Sequence, residues 1–237
     1  MISDQRAPVI KDYPTLQENI YATLKGQICL LERVPGTIMS ATDIAQSMAL
    51  LMQRTVSRTP VREAFIQLAK EGLVELRPQF GTVVTKINRK RALEERYVRY
   101  TLEHDNLKDF MDKVNEADYE EFEEIIRKQK IANEDGKNLE YIELDNLFHH
   151  KQFYISGHVL CLDIISTYNS HYDRLRNLTT WDKGNVRKSI AQHEELIKAF
   201  RKKDLTGAQE ILKIHLGKLI DEEKELYFKY PEYFLSE

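Results

Sequence analysis

Apolar residues recur along most of this 237-residue chain at intervals of three and four, the period of an α-helix, and alternate only briefly near position 80. Leu16, Ile20, Leu24, Ile28 and Leu31 form one stripe behind the capping-box pattern Thr15-Leu16-Gln17-Glu18, which predicts a first helix from about Thr15 to about Leu31. Val34-Pro35-Gly36-Thr37 is a turn signal, and Ser40-Ala41-Thr42-Asp43 offers caps for a second helix. A third carries Val61, Phe65 and Leu68 on one face, with Pro60 in its first turn, where a missing N–H costs nothing, and Ser57 or Thr59 as cap. Leu73–Arg77 and Thr82–Lys86 are β-prone and flank Pro78-Gln79-Phe80-Gly81, the pattern of a hairpin.

From about Arg89 onward the pattern is helical throughout. Arg91 to Met111 carries Leu93, Tyr97, Tyr100, Leu107 and Phe110 as a stripe, Asp118-Tyr119-Glu120-Glu121 opens the next helix, and Ala132–Asn138 is a polar breaker. Later helices are expected over roughly Leu160–Leu178, Asn185–Arg201 and Thr206–Lys229. The fold class is therefore mainly α: an N-terminal winged helix-turn-helix, three helices plus a β-hairpin, over residues 1–86, then an all-α antiparallel bundle over 87–237.

Net charge is −3, which by itself argues against a nucleic-acid partner, but residues 1–91 hold 13 Lys/Arg against 8 Asp/Glu and residues 92–237 hold 22 against 30. Between Asp43 and Glu63 there is no carboxylate, so Arg54, Arg58 and Arg62 stand in unopposed positive charge. Arg58 and Arg62, four apart on one helix face, can each grip guanine O6 and N7 with two donors and are the expected base readers. Ser57 and Thr59, with hydroxyls and free amides at a helix start, are expected to clamp a phosphate. Gly81 at the hairpin tip would let backbone approach the duplex, although a hairpin glycine is also ordinary turn chemistry. The basic run Lys86–Arg91 reads equally as a phosphate contact or a solvated linker.

Pro35-Gly36, Ser57-Arg58-Thr59-Pro60-Val61-Arg62-Glu63-Ala64, Glu71-Gly72-Leu73-Val74 and Phe80-Gly81-Thr82-Val83-Val84 together resemble the GntR family of bacterial transcriptional regulators, across Tyr21 to Val84. One departure is the segment between Ala45 and Ser57, about six residues longer than that family's helix-turn-helix. Its apolar Met48, Leu51, Met52 and Val56 point to a longer second helix, and Arg54 is given no base-reading role.

In the bundle, Asp145 and His149 are four apart, the spacing at which a carboxylate and an imidazole can hold one metal. His193 sits beside Leu196, Ile197 and Phe200, and His215 beside Ile211, Leu212, Leu216 and Leu219. A lone histidine on such a face is ordinarily a hydrogen-bonded core residue, but three with an aspartate all need partners, and a shared metal satisfies all four. The same positions, with Gln192–Ala199 and Ala208, resemble the FCD effector-binding domain of the FadR subfamily within GntR regulators. That resemblance implies metal ligands Asp145, His149, His193 and His215, and a small organic acid bound beside the metal. Arg99-Tyr100-Thr101-Leu102-Glu103 matches the subfamily's Arg-x-x-Leu-Glu signature, so Arg99 is expected to hold the acid's carboxylate, the alternative being an ion pair with Glu103 one turn on. His158 stands where the subfamily has asparagine and is expected to alter the effector contacts. The ligand set suits zinc first, with nickel, manganese or iron as alternatives. His104, His150 and His171 are expected to face solvent, with His150 the one substitute ligand.

The expected function is a ligand-responsive repressor that binds a palindromic double-stranded DNA operator as a homodimer and answers to a small carboxylate effector. Two rivals stand beside it: a metal-dependent hydrolase with Glu194 or Glu195 as base, and a DNA-binding dimer whose histidines merely pack. No Ser/His/Asp order, Gly-rich phosphate loop or His-Glu-x-x-His motif accompanies the hydrolase reading. No apolar run is long enough to span a bilayer, Met1–Arg6 lacks a basic stretch feeding an apolar core, and Cys29 and Cys161 are too few for a disulfide framework, so the expected location is the cytoplasm.

Overall fold

The computed structural model describes residues 15–236, apart from the side chains of 218–224. Met1–Arg6 and the side chain of Leu219 therefore lie outside the described residues. The chain divides into two compact units, residues up to 28 with Gly36–Thr85, and Cys29–Pro35 with Lys86 onward.

The first unit is a winged helix: α1 (Leu16–Cys29), β1 (Ile38–Met39), α2 (Ala41–Leu51), α3 (Arg58–Lys70), β2 (Val74–Arg77) and β3 (Gly81–Val84). The predicted capping box forms, Thr15 N–H donating to Glu18 Oε2 at 3.1 Å and Glu18 N–H to Thr15 Oγ1 at 3.2 Å. Ile20, Leu24 and Ile28 pack with Ile44, Met48, Val61, Phe65 and Leu68 into one buried core. Two elements differ from the sequence reading. The hairpin gains a third strand, order β1-β3-β2, because Ile38 and Met39 pair with Val83 and Thr82. The long segment after Ala45 is not a longer helix: α2 ends at Leu51, Leu50 and Leu51 stay exposed, and Gln53 turns the chain with φ +50° before buried Val56 re-enters the core.

The second unit is a bundle of α4 (Arg89–Lys113), α5 (Glu116–Asp135), α6 (Asn138–Ser156), α7 (Val159–Thr167), α8 (Ser170–Thr179), α9 (Lys183–Arg201) and α10 (Leu205–Lys229), closed by a 3₁₀ turn at Pro231–Tyr233. Asn115 and Asp118 form the reciprocal capping box of α5, three residues earlier than the expected opening, and left-handed Gly136 ends that helix. The helix expected over 160–178 is two, α7 and α8, broken at Tyr168–Asn169. Phe110, Phe122, Phe148 and Phe200 meet edge to face through the core, and the Phe148 ring stacks on His193 with centroids 4.2 Å apart. Among the described residues no helix is long and apolar enough to cross a membrane.

The face that α4 buries is only partly the apolar stripe read from sequence: Leu107 and Phe110 are buried as expected, Leu93 and Tyr100 are half-buried, and the rest of the inward face is polar. Tyr97 is 64% exposed, whereas Glu95, Arg99, Glu103 and Asn106 are all at most 5% exposed. Spaced at about one turn, these polar residues can be buried only if each finds a partner inside the bundle. That requirement leads directly to the site.

Candidate DNA-reading surface and metal centre

In the first unit, Val61, Ala64, Phe65 and Leu68 turn inward and leave Ser57, Arg58, Thr59 and Arg62 exposed on α3. Neither arginine has an ion-pair partner among the described residues, so both guanidiniums keep all their donors for something outside the fold. Ser57 occupies the N-cap position but its hydroxyl makes no capping bond, which leaves the first amides of α3 available to an acceptor. Gly81 is not at the tip of the hairpin. It opens β3 opposite Arg77 with φ +122°, and a Cβ there would stand 3.1 Å from Ile38 Cγ2 and 3.2 Å from Met39 O. Its glycine is thus required by the packing of β1 on β3. The basic run is partly committed internally: Arg89 lies over the Tyr227 ring at 4.7 Å and Arg91 pairs with Glu95 at 2.9 Å, while Lys86 and Lys90 are exposed.

In the second unit, Asp145 and His149 of α6, His193 of α9 and His215 of α10 converge, each offering one ligand atom within 4.8 Å of all the others. Each imidazole is oriented from behind. His149 Nδ1 lies 2.8 Å from Glu103 Oε2, His193 Nδ1 2.9 Å from Gln129 Oε1, and His215 Nδ1 2.9 Å from Gln192 Oε1. These partners are acceptors, so the ring hydrogen sits on Nδ1 and the Nε2 lone pairs turn inward. There, His149 Nε2 and His215 Nε2 stand 3.2 Å apart and His193 Nε2 lies 3.5 Å from Asp145 Oδ1, and among the described residues buried His193 Nε2 finds no hydrogen-bond partner. Three lone pairs and a carboxylate facing one another is an arrangement that a divalent cation satisfies, and both separations approach the ~3.3 Å edge of a tetrahedron with 2.0–2.1 Å bonds. Burial pushes the His193 imidazole down to about 3 and holds His215 well below its usual range, which keeps both rings neutral and ready to ligate.

Asp145 is held from three sides. Burial disfavours its charge, but the Arg176 guanidinium outweighs burial and holds it well below the usual carboxylate range. Arg176 Nη2 donates to Asp145 Oδ2, while Tyr141 O–H donates to Oδ1 at 3.2 Å. Arg99 donates from Nε to Glu103 Oε1 at 2.5 Å, so the polar face of α4 forms a buried relay from Arg99 through Glu103 to His149. Beside the four converging side chains is a cavity of about 50 Å³ lined by Arg99, Tyr141, Tyr172, Arg176, Thr180 and His215 among others. Two guanidiniums on one small cavity, beside a cluster that could hold a cation, suit a compact anion.

The segment 96–218 matches the FCD domain and 16–84 matches the bacterial regulatory proteins of the gntR family. This chain is a GntR-family regulator with an FCD domain. As such it is a ligand-responsive, DNA-binding transcriptional regulator. It is 29% identical over 223 residues to an uncharacterized HTH-type transcriptional regulator in an unstable DNA locus of Streptomyces ambofaciens, covering 94% of this chain and 91% of that protein. It is 27% identical over 224 residues to the HTH-type transcriptional repressor RspR of Escherichia coli K12, covering 94% and 95%. The solved structure of E. coli McbR/YncC shares the fold with a TM-score of 0.73 at 21% identity, over 91% of this chain and 99% of that one.

For this GntR-family regulator, three sequence expectations are corrected. His158 is not at the cavity: it precedes α7 and pairs with Asp109 at 2.7 Å, with both side chains about half exposed. His171 is not solvent-facing but 5% exposed, its Nδ1 accepting from Asn88 N–H at 3.0 Å and Arg174 Nη2 at 2.8 Å. His150 is only partly exposed, and burial with Arg99 nearby brings it down to about 4. Arg99 lines the cavity and also makes the Glu103 ion pair, so both sequence alternatives coexist. Arg176 was missed because nothing in its local pattern distinguishes it from a surface arginine.

Burial, with Arg174 and Arg91 nearby, lowers His171 to about 3 from its ordinary 6.5, so protonation favours the unfolded chain. The stability it contributes is complete above pH ~6.5 and declines as pH falls toward ~3, a loss of about 2 kcal/mol at pH 5. Urea unfolding of the wild type at pH 7 and 5 is expected to show this drop, and His171→Gln to lose about that much of it.

Proposed function

We propose that this regulator is a homodimeric repressor that binds a palindromic operator through Ser57, Arg58, Thr59 and Arg62, and that a small organic acid bound beside a metal in the bundle lowers operator affinity. The metal ligands are Asp145, His149, His193 and His215, with zinc the first choice for a site of three imidazoles and one carboxylate. One observation carries the effector half of this reading: three Nε2 atoms, each pinned from behind through Nδ1, converge beside a cavity that two arginines also enter. Arg99 and Arg176 are assigned to the carboxylate of the acid. Repression is carried over from RspR, a transcriptional repressor. Location in the cytoplasm follows from the regulatory role.

Catalysis is not part of this reading. Of the two bases a hydrolase would use, Glu194 pairs with Lys130 at 2.5 Å on the surface and Glu195 is exposed, so neither reaches the cluster. Native mass spectrometry of gently purified full chain tests dimer mass, bound metal and retained acid together. A monomer, or a dimer free of metal, would contradict it. On the DNA side, Arg58→Ala and Arg62→Ala are each expected to weaken operator binding by about 1–3 kcal/mol and relax specificity at one base pair, whereas Lys86→Ala should act uniformly across sequences through salt dependence. A mobility-shift titration against a panel of single-base operator variants separates the two patterns. Unaltered base preference in both arginine variants would remove them as readers.

A further inference from the structure

The backbone that joins the wing to the bundle is gripped from two directions. Ile87, two residues into the second unit, donates its N–H to Tyr233 O at 2.8 Å and accepts at its C=O from Leu235 N–H at 3.0 Å, so the segment after α10 adds itself as a short parallel bridge to the connection. Its neighbour Asn88, the N-cap of α4, donates its N–H to His171 Nδ1 at 3.0 Å. Ile87 and Phe234 are both buried, in one cluster with Leu31, Ala92, Tyr172 and Leu175. This tail lies beyond residue 218, where the match to the FCD domain ends.

Both grips lead back to the metal cluster through rigid elements. α10 carries His215 and runs unbroken to Lys229, about 20 Å of helix at 1.5 Å per residue, before the tail begins. α8 carries His171 at the connection, Tyr172 next to it at the cavity and, about a turn further on, Arg176 at the cavity, with Arg176 donating to Asp145. The start of α8 is itself fixed to α4, since Glu95 Oε2 accepts the N–H groups of His171 and Tyr172 at 2.8 and 3.0 Å.

We propose that the C-terminal tail and the start of α8 form a clamp on Ile87–Asn88 through which occupancy of the metal cluster is transmitted to the connection with the DNA-reading unit. The inference rests on the metal reading above. Its physical content is that ligation draws His215 and Asp145 together, shifts α10 and α8 as rods, and tightens three hydrogen bonds that hold one stretch of backbone.

Hydrogen exchange on the full chain, metal-stripped and then titrated with Zn²⁺ alone, tests it without using DNA. In the wild type, Zn²⁺ is expected to slow exchange in segments from α6, α9 and α10 and also, by about ten-fold, at Ile87, Asn88 and Leu235. Leu235→Pro removes the N–H that bonds Ile87 O. Phe234 before it already has φ −106° and ψ 149°, the extended conformation that a following proline prefers, and Leu235 is 46% exposed, so little else is lost. In this variant, and in a chain ending at Tyr230, protection by Zn²⁺ is expected to persist at the cluster and to fall below about two-fold at Ile87–Asn88. Zn²⁺ bound at the cluster with no change at Ile87–Asn88 in the wild type, or an undiminished change in Leu235→Pro, overturns the clamp while leaving the metal reading intact. Absence of Zn²⁺ binding by mass spectrometry overturns both.

Discussion

Arg99→Ala is expected to destabilise the bundle by about 3–5 kcal/mol and to weaken metal binding about 10–100-fold. Arg99 is 3% exposed and Glu103 equally so, and their ion pair at 2.5 Å is the first link of a chain whose second is the 2.8 Å contact of Glu103 with His149. Burial alone would drive the Glu103 carboxyl to its neutral form, but Arg99 and His149 outweigh it and hold the group well below the usual carboxylate range. Without the guanidinium, the carboxylate either stays charged against a single imidazole in a dry interior or takes up a proton. The first outcome costs stability. The second ends the charge-assisted hold on His149 Nδ1, so Nε2 becomes a poorer ligand. Urea unfolding followed by circular dichroism measures the stability loss and Zn²⁺ titration measures the affinity. A loss under about 1 kcal/mol together with unchanged affinity would show that the relay is not coupled to the metal. Arg99→Lys keeps the charge without the planar fork and is expected to fall between.

Metal removal is expected to lower the melting temperature of the second unit by roughly 8–16 °C, equivalent to about 4 kcal/mol when free metal exceeds Kd about a thousand-fold. The Nε2 lone pairs of His149 and His215 face each other at 3.2 Å, with both hydrogens held at Nδ1 by Glu103 and Gln192, and among the described residues buried His193 Nε2 has no hydrogen-bond partner, so a cation is what would satisfy the three together. On its removal one ring must protonate or turn, either of which disturbs a core where Phe148 stacks directly on His193. Calorimetry of the full chain with and without chelator, repeated at several Zn²⁺ concentrations, gives the shift and its dependence on free metal. Asp145→Asn preserves shape while removing the anionic ligand and the partner of Arg176, and its melting temperature should be low and nearly indifferent to chelator. Identical melting of the wild type in both conditions would mean that the cluster satisfies itself without a cation.

Residues that announce themselves by period or by chemistry were legible in the chain alone. The Val61, Phe65, Leu68 stripe fixed which side of α3 is buried and so which arginines are exposed, and histidines on apolar faces pointed to a cluster of side chains that could hold a metal. What escaped was whatever depends on distant partners. β1 is two residues long, too short for alternation to register, and exists because β3 offers it an edge. The buried side of α4 was read correctly at Leu107 and Phe110 but missed at Glu95, Arg99, Glu103 and Asn106, polar groups whose partners lie up to 77 positions away in sequence. Gln129 and Gln192, which orient His193 and His215, look like any surface glutamine until α5, α9 and α10 are folded together. His171 was placed in solvent for the same reason: its justification is the N–H of Asn88, 83 residues earlier. The segment after Ala45 failed differently, since Leu50 and Leu51 look like core residues and are exposed instead.

Because Cys29–Pro35 belong with the second unit, the polypeptide crosses between the two units three times, after Ile28, after Pro35 and after Thr85. Each unit is therefore assembled from stretches of chain that are not consecutive, and neither corresponds to a single cut of the sequence. A fragment cut at the end of the wing would also strand Leu31, whose apolar neighbours Ile87, Ala92 and Tyr172 all come later in the chain.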